Sequence, residues 1–166
     1  MKAKIAVVMG SDSDYQIVEG CIKLVKKFGI ETDVMVCSAH RTPEMASDFA
    51  KNAEKEGYGL IIAAAGKAAH LPGVLSAYTI LPVIGLPIKS STMDGLDSLL
   101  SIVQMPPGVP VATVAIDGAV NAALLAVQIL SISDATLKEK LRDYKKQMAN
   151  KVNEKNKNLQ KKLKND

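Results

Sequence analysis

The stretch "AKIAVVMGSDSD", from Ala3 to Asp14, decides the fold class of this 166-residue chain. Its first part is a short, mainly apolar run that Gly10 ends, which is typical of a strand buried on both faces of a parallel sheet. Apolar residues then recur at helical spacing from Ile17 to Phe28, and Gly29 follows where a left-handed C-cap is favoured. The stretch therefore opens a unit of strand, polar loop and helix.

The same order of strand, loop and helix recurs four more times along the chain. The further strands are predicted at Glu31–Cys37, Gly59–Ala65, Leu81–Ile88 and Pro110–Ile116. The further helices are predicted to begin with Thr42 as N-cap and Pro43 as first residue, near Val74, at Leu96 and at Ala119. This alternation predicts an α/β fold, a three-layer αβα sandwich around a parallel, flavodoxin-like (Rossmann-like) sheet.

The chain is predicted to have a single α/β catalytic domain over residues 1–133 and a C-terminal helical arm over residues 134–166. The arm carries ten Lys and one Arg against five acids, whereas the whole chain has a net charge of +4. Apolar residues recur in the arm at steps of three and four, namely Leu137, Leu141, Tyr144, Met148 and Val152. We therefore expect an amphipathic helix packed on the domain or on a neighbouring subunit, in preference to a nucleic-acid or membrane-surface binding tail.

The composition argues against several classes of protein. Aromatic residues make up 4% and Trp is absent, so the stacking platforms of single-strand binders are missing. The longest apolar run, Gly118 to Leu130, is shorter than the about 20 residues that span a bilayer, and no signal peptide is visible. We expect a cytoplasmic protein with no nucleic-acid or membrane partner, and reduced thiols at Cys21 and Cys37.

Three polar loops follow the first three predicted strands: "GSDSD", "SAHRTP" and "AAGKAAHLPG". Ligands of open parallel sheets bind beyond the carboxyl ends of the strands, so these loops are candidates for a site. Both histidines of the chain, His40 and His70, lie in them. Histidine is the side-chain type best suited to move a proton at physiological pH, so His40 is a candidate for proton transfer, while a purely structural turn residue is the alternative.

The first two loops favour a phosphorylated ligand. Ser11, Ser13 and Asp14 precede a helix, where free amides and the helix dipole favour an anion; the alternative is that Ser13 or Asp14 simply caps that helix. Arg41 adds a planar cationic fork that can bind a phosphate through two hydrogen bonds. The chain has no GxSxG, HExxH, GxGxxG or P-loop motif, and no Cys/His cluster. The residues thus predict an enzyme with an acid/base group and neither metal nor organic cofactor, without naming the reaction.

Four motifs in order, "GSDSD", "SAHRTP", "AAHLPG" and "DSLLSIVQMPPGVPVATVAI", resemble the PurE family of purine biosynthesis, in particular its bacterial class I members. The resemblance covers residues 4 to about 130. It implies conversion of N5-carboxyaminoimidazole ribonucleotide to 4-carboxy-5-aminoimidazole ribonucleotide, by loss of carbon dioxide in a closed pocket and its recapture, without ATP, metal or cofactor. It also implies a homo-octamer with active sites between subunits.

The resemblance also assigns roles to individual positions. The histidine that shuttles the proton is His40. The positions implied to bind the ribonucleotide substrate are Ser11, Asp14 and Arg41 with their neighbours Ser13 and Ser38, and, along the carbon dioxide pocket, Gly66, Lys67, His70 and Leu71.

One position departs from the family pattern. Lys67 stands where class I members usually carry the second of two adjacent glycines, and its side chain either reaches the substrate carboxylate or points to solvent. Class II members carboxylate aminoimidazole ribonucleotide directly and differ in this loop, but "AAHLPG" and Arg41 favour class I. A non-catalytic flavodoxin-like module is a further alternative, although the third strand ends in "AAAG" with no phosphoacceptor acid.

Overall fold

The computed structural model describes residues 4–164. They belong to two compact units, one ending at Val127 and one beginning at Gln128. Ala3, the first residue of the first predicted strand, and the last two residues of the predicted arm lie outside the described residues.

The first unit contains a five-stranded parallel sheet. Its strands are β1 Lys4–Met9, β2 Glu31–Val36, β3 Leu60–Gly66, β4 Val83–Ile88 and β5 Ala112–Thr113. Their order is β2-β1-β3-β4-β5, and each neighbouring pair is parallel. This order is flavodoxin-like and confirms the predicted fold class. The chain reverses its direction of winding between β1 and β3, so the carboxyl ends of these strands form the crevice where such sheets bind ligands.

The described helices follow the strands in the predicted order, but the third begins at Leu71, three residues before the predicted start near Val74. They are α1 Tyr15–Lys27, α2 Pro43–Asn52, α3 Leu71–Tyr78, α4 Leu96–Val103, α5 Ala119–Leu130 and α6 Ala135–Leu163, with a short 3-10 helix at Asp12–Asp14 before α1. Gly29 ends α1 with φ at 84°, as its predicted role in the cap requires.

Helices cover both faces of the central strands. Ala6 and Ile61 point to one face and pack in a core with Ala50 of α2 and Leu75 of α3. Ile5, whose side chain points to the opposite face because strand residues alternate, is also fully buried. Burial on both faces explains why β1 reads as a continuous apolar run.

The fifth strand is much shorter than the predicted Pro110–Ile116. Only Ala112 and Thr113 pair with β4. The amide of Val114 still donates to Gly85 O at 3.1 Å, and the amide of Asp117 to Pro87 O at 2.9 Å. Pro87 therefore faces β5 but has no N–H to donate, so the ladder cannot continue past it.

The start of α2 differs in detail from the prediction. Thr42 occupies the N-cap and Pro43 follows it, but the Thr42 side chain makes no cap hydrogen bond. Thr42 Oγ1 instead accepts from the Ser38 amide at 3.0 Å and donates to the Ser38 carbonyl at 2.9 Å. These two bonds close the loop that carries His40 and Arg41.

The second unit consists of the end of α5 and the long helix α6. Asp134 caps α6, and its side chain accepts a hydrogen bond from the Leu137 amide at 3.0 Å. Leu137 and Leu141 of the predicted apolar stripe are buried, whereas Met148 and Val152 are 43% and 64% exposed. The packing of the arm on the domain or on a neighbouring subunit stays a prediction.

Candidate functional site

A cavity of about 600 Å³ opens at the carboxyl ends of the strands. The loops that follow β1, β2, β3 and β4 all contribute residues to it. It therefore lies where the parallel topology predicts a ligand site.

All ten residues singled out from the sequence line this one cavity. They are Ser11, Ser13, Asp14, Ser38, His40, Arg41, Gly66, Lys67, His70 and Leu71. These positions span 61 residues of sequence, from 11 to 71, and the sheet brings them together because parallel strands end at one edge.

The sequence reasoning missed the loop after β4. Ile88, Lys89, Ser90 and Ser91 also line the cavity. The pattern that could have indicated them is a cation and two hydroxyls directly after the fourth predicted strand. Ser90 Oγ donates to Asp97 Oδ1 at 2.8 Å, so this loop is tied to the first turn of α4.

The serines after β1 form a small hydrogen-bonded cluster. Ser11 Oγ accepts from the Ser13 amide at 3.4 Å and from Ser13 Oγ at 3.0 Å. Ser11 is thus the side chain that caps the 3-10 helix, while Asp14, at the N-cap of α1, makes no side-chain cap hydrogen bond. The alternative in which Ser13 or Asp14 provides the cap is therefore wrong.

Asp14 is the buried carboxyl of this loop, with only 8% of the residue exposed. Burial raises its pKa above the ordinary value, because the charged form loses hydration. The Ser11 backbone and the Ser13 side chain oppose the rise by hydrogen bonding, and the nearby charge of Asp12 adds to it. The cavity therefore holds a carboxyl whose ionisation is costly in the absence of a ligand.

Arg41 bridges the loops after β1 and β2. Its Nη2 donates to Gly10 O at 3.1 Å, and its Nε donates to Ser38 Oγ at 3.3 Å. Its backbone amide also donates to Ser38 Oγ, at 3.2 Å. Within residues 4–164 the guanidinium has no carboxylate partner, so its charge is available to an anion held beside the serines.

The two histidines of the chain contact each other. His40 Nε2 lies 2.9 Å from His70 Nδ1, and the rings meet edge to face with centroids 4.9 Å apart. One nitrogen donates and the other accepts, so the protonation of one ring is coupled to the tautomer of the other. This contact joins the β2 loop to the β3 loop across β1.

Lys67 adopts a left-handed backbone conformation, with φ at 56°. The carbonyl of Lys67 accepts from the Ala69 amide at 2.8 Å in a tight turn that leads into α3. A glycine would adopt this φ without strain, which is a physical reason for the glycine that the family pattern has here.

The described part of the chain holds neither a metal site nor a membrane span. Residues 4–164 contain no group of three or more His, Cys, Asp or Glu side chains placed to hold a metal ion. In the same range no helix is long and apolar enough to cross a membrane. Cys21 and Cys37 are unpaired and buried, and burial raises the pKa of the Cys21 thiol to about 12.

Comparison with known proteins places the chain in one family. The model of the AIR carboxylase family matches residues 4–151. A curated relative from Pyrococcus horikoshii, named N5-carboxyaminoimidazole ribonucleotide mutase, is 55% identical over 96% of this chain and 90% of its own length. A relative of the same name from Thermotoga maritima is 50% identical over 95% of this chain and 92% of its own length.

A solved structure resembles the whole fold. The crystal structure of Treponema denticola PurE aligns with a TM-score of 0.85 and 31% identity, covering 92% of this chain and 96% of that one. The family match includes every residue that lines the cavity.

Proposed function

This chain belongs to the AIR carboxylase family, and from that premise we propose that it acts as an N5-carboxyaminoimidazole ribonucleotide mutase in purine biosynthesis. Three relatives at 50 to 57% identity carry that name and match over most of their own length. Their names favour this intramolecular carboxylate transfer, an isomerisation, over direct carboxylation of aminoimidazole ribonucleotide. They equally favour it over a non-catalytic flavodoxin-like module.

The proposed reaction moves one carboxylate within the substrate. The bond between the exocyclic nitrogen and the carboxylate carbon breaks, and the nitrogen takes a proton from His40 as carbon dioxide leaves. Carbon 4 of the electron-rich ring then forms a bond to the carbon dioxide, and His40 takes back the proton that carbon 4 loses. Atoms and charge balance with no net oxidation, so the steps require neither ATP nor a redox cofactor.

One observation carries the proton-shuttle proposal: His40 Nε2 lies 2.9 Å from His70 Nδ1 in the cavity. A base that both gives and takes a proton needs a partner that holds its ring in one orientation. The His70 ring supplies this contact, and its Nδ1 can be the donor or the acceptor, depending on the tautomer of the ring. His70 is therefore proposed as a positioning residue for His40.

The remaining residues are assigned by their charge and their place around the cavity. Arg41 with Ser11, Ser13 and Ser38 is proposed to bind the phosphate, since an arginine fork and hydroxyls match its oxygens. Asp14, at the end of the same cluster, is proposed to accept hydrogen bonds from ribose hydroxyls. Gly66 and Leu71 would line the space that retains carbon dioxide.

We also propose a cytoplasmic homo-octamer, as in the family that the sequence resembles. Exposed apolar side chains on the first unit support association, since a monomer would leave them in water. Ile80 is 82% exposed, and Leu100 and Val103 of α4 are 45% and 47% exposed. Light scattering at two protein concentrations measures the assembly size.

The test of the reaction is a comparison of two substrate sets with the purified protein. We expect turnover of N5-carboxyaminoimidazole ribonucleotide without added bicarbonate, followed by the change in absorbance of the product. Turnover of aminoimidazole ribonucleotide with bicarbonate, but not of the carbamate, would contradict the proposal and favour direct carboxylation. Absence of turnover with both sets would reject catalysis of either kind.

A further inference from the structure

The backbone of Lys67 has a positive φ, which its neighbours in the sequence do not have. Its φ of 56° lies in the left-handed region, where a Cβ crowds the backbone. Such strain in a binding cavity motivates a functional explanation, because the surrounding structure must hold it in place.

The other described non-glycine residues with positive φ differ from Lys67. They are Asp94 and Asp117. Aspartate, like asparagine, has a short polar side chain and adopts this region more often than most other residues do. Asp117 Oδ1 accepts from the Lys89 amide at 2.9 Å, and Asp94 Oδ1 lies 3.2 Å from Lys89 Nζ. Their strain thus accompanies a contact with the protein, whereas the Lys67 side chain has no hydrogen bond or ion pair within residues 4–164.

The cations that line the cavity are divided between its sides. Arg41 lies with the serines of the β1 and β2 loops, and Lys89 is paired with Asp94. Lys67 belongs to the β3 loop, three positions before His70, whose ring contacts His40. A ligand with two separate anionic groups would match Arg41 at one end and Lys67 at the other.

We propose that the ammonium group of Lys67 binds the carboxylate that the reaction transfers. This inference rests on the proposed function, whose substrate and product each carry a phosphate and one carboxylate. The carboxylate must lie next to the proton-transferring histidine, because both the bond that breaks and the bond that forms end at its carbon. The β3 loop provides a cation at that place.

The same charge argument indicates how Lys67 affects the kinetics. Carbon dioxide is neutral, so an ammonium group stabilises the carboxylated substrate and product more than the intermediate between them. Such an interaction strengthens binding without accelerating the chemical step. Lys67 is therefore a specificity-determining residue for carboxylated ribonucleotides, and its loss should raise KM while leaving kcat unchanged or higher.

The test compares two ligands that differ only in the carboxylate. Calorimetry measures the affinity of wild type, Lys67→Gln and Lys67→Gly for 4-carboxy-5-aminoimidazole ribonucleotide and for 5-aminoimidazole ribonucleotide. Lys67→Gln removes the charge and keeps the length, and Lys67→Gly also removes the strain. We expect both variants to lose about tenfold in affinity for the carboxylated ligand only, as for a lost hydrogen bond to a charged group. Lys55→Gln, an exposed lysine away from the cavity, controls for net charge and should bind like wild type.

Two outcomes would overturn the inference while leaving the proposed function intact. Equal losses for both ligands would assign Lys67 to the phosphate, and unchanged affinities would place its side chain in solvent. If wild type binds neither ribonucleotide, the proposed function itself fails, and with it the inference.

Discussion

The two cationic sides of the cavity are built in different ways. The guanidinium of Arg41 donates two hydrogen bonds, to Ser38 Oγ and Gly10 O, and the Arg41 amide donates a third to Ser38 Oγ, so the guanidinium is positioned before any ligand arrives. Lys67 is fixed only through its backbone, in a strained left-handed turn, and its side chain has no hydrogen bond or ion pair in the described chain. This difference is consistent with the two proposals made above, that Arg41 binds the phosphate and that Lys67 binds the carboxylate that moves.

The largest effect is expected from a substitution that removes the contact between His40 and His70. His40→Asn removes the imidazole proposed to transfer the proton, so we expect turnover to fall by about 10²- to 10⁴-fold, the usual contribution of a positioned acid or base. The site keeps its other contacts, and the product should bind with nearly unchanged affinity by calorimetry. Turnover close to wild type would reject His40 as the proton shuttle.

The next largest effect is expected at Arg41, on the affinity for ribonucleotides. Arg41→Lys keeps the charge but loses the planar fork and its bonds to Ser38 and Gly10. We expect about tenfold weaker binding, a loss of about 1.4 kcal/mol, for carboxylated and non-carboxylated ribonucleotides alike. This equal loss is the counterpart of the selective loss expected at Lys67. A loss confined to the carboxylated ligand would place the phosphate elsewhere.

A smaller effect follows from the burial of Asp14 on the preorganised side. Because its pKa is raised in the folded state, the folded protein holds the proton more tightly than the unfolded chain does. The free energy of unfolding should therefore decrease as pH rises from the ordinary aspartate pKa of 3.8 through the raised pKa of the folded state, and Asp14→Asn should lack this decrease.

Urea unfolding of wild type and Asp14→Asn across that pH range isolates the contribution, since the other titrating groups are common to both proteins. Identical pH dependence of the two free energies of unfolding would show that burial of Asp14 has no energetic consequence.

The smallest effect is expected on the stability of the protein, when the strained backbone of Lys67 in the loop after β3 is relaxed. Lys67→Gly relieves a left-handed conformation that costs about 1–2 kcal/mol, but glycine loses about 0.5–1 kcal/mol more backbone entropy on folding. We expect a net gain of up to about 1.5 kcal/mol in the free energy of unfolding. Ala68→Gly, next to it and without a positive φ, should destabilise the protein. A destabilised Lys67→Gly variant would show that the turn carries no strain.

The sequence predicted the fold more completely than it predicted the contacts between the residues that line the cavity. The continuous apolar run before Gly10 and the helical stripe after it are local patterns, and they were sufficient for the parallel sheet and its helices. The length of β5 was not predictable from its own residues, because Pro87 of the neighbouring strand limits its pairing.

The site residues were predictable for a similar reason, and their contacts were not. Polar loops after strands are visible in the sequence, and in a parallel sheet all of them meet at one edge, which is why His40, Arg41 and Lys67 line one cavity. The contribution of Lys89 and Ser90 was missed, although a cation and two hydroxyls directly follow the fourth predicted strand.

By itself, then, the sequence determined the α/β architecture, the edge of the sheet where the cavity opens and the types of side chain that line it. Only the tertiary structure decided that His40 touches His70, that Arg41 reaches Gly10 and that Lys67 adopts φ of 56°. The physical reason is that periodicity and turn chemistry are local properties of the chain. Contacts across three loops depend on strand order and register, which no single segment encodes.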